Sequence, residues 1–191
     1  MKKRNLTLSM VVCILIVTLL APISGAAAGP IDTTKDASLT LLFHDGETAI
    51  SSAAFDLYYV ADVSADGEFT LAGDYAAYPV SLEDMDNVSM KALANTLVGY
   101  TLRDQLVPLD SGVTDQYGAL KFPQKQERLN VGLYLVIGHN HAQGEYTYIP
   151  DPFLVCLPTL DLTLDQWFEN VTANVKYIVT DGRDQDKVDH F

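Results

Sequence analysis

The feature that most constrains this chain is a succession of short runs in which apolar side chains recur at every second position, each closed by Gly, Pro or Asp-Gly. Residues 37–43 (ASLTLLF) form the first and end at Asp45-Gly46. Residues 53–60 (AAFDLYYV) place Phe55, Leu57 and Tyr59 on one face, and Asp66-Gly67 turns the chain into residues 68–71. Residues 112–118 read as a strand end and turn before residues 119–122. Residues 132–137 (GLYLVI) are apolar throughout, and residues 145–149 and 153–157 follow, bounded by prolines. The last run, residues 170–179, alternates through Val171, Ala173, Val175 and Tyr177. A period of two presents one face of an extended strand, so the expectation is an antiparallel β-sandwich. One stretch breaks the rule: Met90, Leu93, Ala94, Leu97, Tyr100 and Thr101 recur at helical spacing, with Ser89 or Asn87 to cap the helix and residues 105–108 to end it.

The N-terminus has its own pattern. Lys2, Lys3 and Arg4 precede an uncharged apolar stretch, and small residues follow up to Ala28. This is the order of a secretory signal peptide cleaved after Ala28, and the apolar stretch is shorter than the roughly 20 residues a membrane span needs. Residues 1–28 therefore read as a signal peptide, 29–36 as an N-terminal linker, 37–179 as the β-sandwich domain, and 180–191 as a disordered tail or truncated linker. Cys13 leaves with the signal, so Cys156 is a lone thiol inside an apolar strand and neither a disulfide nor a Cys-rich metal site is expected. Of the 12 basic residues, three lie in the leader. The nine that remain face all 25 acidic residues, a formal charge of −16. So acidic a domain argues against nucleic acid and anionic membranes as partners.

Catalytic patterns are absent. There is no Gly-x-Ser-x-Gly elbow, phosphate loop or His-Glu-x-x-His. His139 and His141 are close in sequence but have no neighbouring acidic or Cys ligand, and Glu83 with Asp84 reads as solvated surface. No enzyme activity, metal or cofactor is expected.

The informative stretch is Trp167-Phe168-Glu169-Asn170-Val171-Thr172-Ala173-Asn174-Val175-Lys176. It resembles the pilin motif of sortase-polymerised Gram-positive pili: a Trp, a Val four positions on, then alternation leading to a Lys. Ala173 and Val175 stand where that family usually has Val and Pro. The segments around Phe55, Ala92-Leu93-Ala94, Thr114-Asp115-x-x-Gly118, Gly132-Leu133-Tyr134-Leu135-Val136 and Pro152-Phe153-Leu154-Val155-x-Leu157-Pro158 are similar, in the same order, to the N-terminal domain of Spa-type major pilins.

The resemblance implies an immunoglobulin-like or transthyretin-like sandwich with one inserted helix, as in collagen-adhesin B-type domains. It implies that Lys176 accepts another subunit's acyl group from a class C sortase, with Trp167 and Val171 supporting the motif. Free lysine amines, with pKa about 10.4, are mostly protonated at neutral pH, so the sortase supplies the activation. The implied partners are that sortase, other pilin subunits and host surface ligands, and the implied location is the cell surface. A surface adhesin on the same scaffold, binding through residues 106–116 and 139–144, is the alternative reading. The first strand has no lysine and the usual glutamate is replaced around Ile137-Gly138, so no internal Lys–Asn isopeptide bond is expected. No Leu-Pro-x-Thr-Gly signal follows, and the chain reads as a truncated frame or fragment.

Overall fold

A computed structural model describes residues 29–83 and 86–181. The signal peptide, Asp84 and most of the C-terminal tail lie outside these residues.

Among the described residues, fifteen strands and one α-helix follow in order: β1 (Ser38–Leu42), β2 (His44–Asp45), β3 (Thr48–Ala49), β4 (Ala54–Val63), β5 (Phe69–Leu71), α1 (Asn87–Asp104), β6 (Asp110–Val113), β7 (Ala119–Phe122), β8 (Gly132–Gly138), β9 (His141–Gln143), β10 (Tyr146–Pro150), β11 (Phe153–Leu157), β12 (Thr159–Asp161), β13 (Gln166–Phe168), β14 (Asn170–Asn174) and β15 (Tyr177–Asp181). One sheet has the order β14-β1-β7, and the larger runs β11-β8-β4-β5 with β6 also on β4. Alternation explains how they stack. Leu39 and Leu41 of β1, Leu120 and Phe122 of β7, Phe55 and Leu57 of β4 and Tyr134 and Val136 of β8 meet in one core between the two sheets.

The opposite face of the large sheet carries Tyr58, Leu133, Leu135 and Leu154, and the helix covers it with Ala94 and Leu97. This is why residues 132–137 are apolar throughout: β8 is buried on both faces. Each such large apolar side chain contributes roughly 1.5–3 kcal/mol on burial. The helix starts at a cap not expected from the sequence. Asp86, rather than Ser89 or Asn87, accepts hydrogen bonds from the Val88 and Ser89 amides. Gln105 ends the helix in the left-handed conformation.

Two further expectations change. Residues 29–36 are docked rather than a free linker: Ile31 is buried and its amide donates to Ala65 O at 2.8 Å. The run 170–179 is two strands in two sheets. β14 pairs in parallel with β1, from Ser38↔Asn170 to Leu42↔Asn174, while β15 pairs antiparallel with β10 in the sheet β15-β10-β9. The hairpin β12–β13 had no clear sequence signal, and β15 continues beyond residue 179 to Asp181.

Gly118 shows what one turn demands. Its φ is +70°, Phe43 N donates to its carbonyl at 2.8 Å, and a Cβ there would collide with Phe43 O. Asp115 closes the same turn by accepting from the Tyr117 and Ala119 amides.

Candidate acceptor site at the change of sheet

Lys176 lies where the chain leaves one sheet for another. Val171 and Ala173 point towards the sandwich core, and Val175 continues that alternation into full burial. The Val175 amide still bonds to β1, donating to Leu42 O at 2.9 Å. One residue later the partner is different: Lys176 O accepts from Asp151 N at 2.8 Å, and the β10–β15 ladder begins. The backbone is therefore pinned on both sides of Lys176, while alternation turns its side chain to solvent.

That side chain lines a groove of about 390 Å³ between the start of α1 and the start of β11. Met90 and Lys91 come from the helix, Asp151 and Phe153 from the approach to β11, and Asn174 from β14. Lys91 Nζ is 3.0 Å from Asp151 Oδ2, and both side chains are partly exposed. The Lys176 amine makes no hydrogen bond or ion pair among the described residues. A primary amine placed this way has its nitrogen free, on a backbone hydrogen-bonded to both sheets, at the edge of the groove.

Trp167 and Val171 do not touch this groove. Val171 packs against the main core opposite Leu39. Trp167 lies beyond the other end of β14, a strand of five residues about 16 Å long at ~3.3 Å per residue. Its indole Nε1 donates to Gly29 O at 2.7 Å, and its ring packs on Ile31, Val63 and Val131. Its neighbours bind the same N-terminal strap, residues 29–37, and the first residue of β1. Glu169 Oε1 is 2.6 Å from Lys35 Nζ, and Asn170 Oδ1 accepts from Ser38 Oγ at 2.7 Å. The Lys35 ammonium holds the Glu169 carboxyl below its ordinary range.

The other sequence candidates disperse. His139 Nε2 is 2.8 Å from Asp56 Oδ2, and Asp56 also accepts from Ser111 Oγ, so His139 does have a carboxylate partner that the sequence did not place beside it. His141 lies in β9 opposite Tyr148. No group of three or more metal-binding side chains forms among the described residues. Residues 106–116 and 139–144 contain β6 and β9 and are not free loops throughout. Burial pushes the Cys156 thiol up to about 11. All five lysines among the described residues are exposed, so none sits in a shielded Lys–Asn–carboxylate arrangement. No described helix is long and apolar enough to cross a membrane.

Lys91 and Asp151 were missed by sequence reasoning. They are 60 residues apart, one on the helix and one between two prolines, and no short-range spacing links either to Lys176.

No family model matches the chain, and no curated protein matches it. Solved structures do. The fimbrial protein FimP of Actinomyces oris aligns at 18% identity and TM-score 0.46 over 78% of this chain. The major pilin SpaD of Corynebacterium diphtheriae aligns at 20% and 0.45 over 77%, and the major pilin SpaA of the same organism at 22% and 0.43 over 74%. The aligned part spans only 31%, 31% and 30% of those chains. The chain is thus similar to one portion of longer Gram-positive pilins.

Proposed function

We propose that the chain is a structural subunit of a covalently assembled Gram-positive surface pilus, and that Lys176 is the acceptor of the next subunit's acyl group. The observation that carries this reading is the Lys176 amine: exposed, unpaired, and set on a groove wall directly after the buried anchor Val175. The motif from Trp167 to Lys176 supports it from the sequence. The chain acts here as substrate and the sortase as enzyme. Lys176 Nζ attacks the thioester carbonyl carbon of the acyl-sortase, the C–S bond breaks, and the cysteine thiolate leaves. The new C–N bond is an amide, and the proton lost by nitrogen passes to solvent or the sortase. The backbone bonds on either side of Lys176 limit the region its amine can sample, which lowers the entropic cost of this bimolecular step.

On this reading the chain is exported, cleaved after Ala28 and displayed at the cell surface. Its partners are a class C sortase, other pilin subunits and host surface ligands. The test is to incubate the mature chain with a class C sortase and a sorting-signal peptide, then map the product by mass spectrometry. An amide at Lys176 is expected, and Lys176→Ala should give none. An undiminished product in that variant sinks the acceptor assignment. Binding to a host ligand that survives the substitution would favour an adhesin on this scaffold.

A further inference from the structure

Asp151 and Lys176 face each other across the start of the β10–β15 ladder. The antiparallel register pairs Pro150 with Tyr177, so the next opposed pair is Asp151 with Lys176, joined by the 2.8 Å bond from Asp151 N to Lys176 O. Opposed residues in such a ladder carry their Cβ atoms on the same face, about 4.5–5.5 Å apart. Both side chains line the groove. An aspartate in this position can pair with the lysine opposite it. Here the carboxylate is engaged elsewhere, with Lys91 Nζ of α1 at 3.0 Å. The charged groups lining the groove are two amines and one carboxylate, and the carboxylate is bound to the amine that is not the acceptor.

We propose that Lys91 is a positioning residue that keeps the acceptor amine available: by holding Asp151, it stops the opposed carboxylate from clamping Lys176 against the groove wall. An ammonium in an ion pair must separate from its partner and lose a proton before its lone pair can attack a carbonyl. The same contact makes Lys91 the less available of the two amines, so one ion pair sets the choice between them. The consequence for assembly rests on the acceptor reading above; the competition for Asp151 does not.

The test follows acetylation of Lys176 in the full mature chain by a small neutral activated ester at fixed pH, read by peptide mass spectrometry, beside sortase transfer on the same proteins. Lys91→Ala should slow labelling of Lys176 by about two- to fivefold, the scale of an exposed Asp–Lys pair. The double variant K91A/D151N should recover the original rate, and K91R, which keeps a cation on the helix, should stay near it. In Asp151→Asn, labelling of Lys91 should rise. Equal slowing in K91A and the double variant would mean that loss of the helix contact, and not a freed carboxylate, is responsible, and would overturn the proposal. Slowing of Lys176 in D151N alone would make Asp151 a proton acceptor and overturn it too. If this cycle holds while sortase ignores Lys176, the acceptor reading alone fails. If sortase uses Lys176 and the cycle is flat, the role of Lys91 alone fails.

Discussion

The two ends of β14 are built for opposite purposes. At the Trp167 end, the polar side chains are tied to the N-terminal strap and the start of β1: indole to Gly29 O, Glu169 to Lys35, Asn170 to Ser38, with Ile31 buried beneath. At the Lys176 end, the backbone is pinned as tightly but the side chain is left unpaired on an open groove. A motif that reads as one string of ten residues therefore combines a structural clasp and an exposed amine, separated by a strand that transmits position and no direct contact.

The comparison predicts that substitutions at the two ends give different phenotypes. The largest effect belongs to Lys176→Ala: all sortase product should be lost, while stability stays within about 0.5 kcal/mol because an exposed, unpaired side chain is removed. A large fall in the thermal midpoint would break the comparison. Trp167→Ala should do the reverse. Removing a half-buried ring and its bond to Gly29 should cost about 2–3 kcal/mol in denaturant unfolding, with transfer per folded molecule retained. If transfer falls instead at unchanged stability, the indole contributes to recognition and the two ends are not separate. Ser38→Ala removes one side-chain hydrogen bond to Asn170 and should cost about 1 kcal/mol by the same measurement.

The smallest effect is a pH dependence confined to the clasp. Lys35 lowers Glu169, and the hydrogen bonds from Thr34 lower Asp32. A carboxylate lowered by folding contributes stability above its unfolded value, and that contribution is lost as pH falls through the folded one. Glu169 in turn raises Lys35, whose contribution is present below its unfolded value and is lost as pH rises through the folded one. Proteolysis of the strap should therefore accelerate modestly below about pH 4 and again above about pH 10.5, with neutral pH the most protected. A strap whose cleavage rate is flat across that range would show that Ile31 and Trp167 hold it without help from the ion pair.

Much of the fold was legible as periodicity. The alternation in residues 37–43 and 53–60 identified strands, and Phe55 and Leu57 as one face, because side chains of a strand repeat at two. The unbroken apolar run of 132–137 was legible as a strand, and the helix packed on its far face gave the reason it is apolar throughout. Helix α1 was visible from its spacing, but its cap was not, since Asp86, Asn87 and Ser89 are all good caps and only the backbone selects one. The change of sheet at Val175–Lys176 was invisible for a physical reason: alternation continues unchanged through Val171, Ala173, Val175 and Tyr177 whether or not the hydrogen-bond partner changes. The strap was missed because a single apolar residue, Ile31, has no period. The partnership of Asp56 with His139 was missed because it spans 83 residues of chain.

For the candidate site, the resemblance of residues 167–176 to the pilin motif singled out Lys176, and alternation turned it outward, because side-chain direction in a strand follows from local geometry. Everything that makes the lysine distinctive beyond exposure depends on distant segments. The groove needs the helix, the strand switch needs both β1 and β10, and Asp151 needs Lys91 to draw it away. Local periodicity encodes which way a side chain faces; only folding decides what stands in front of it.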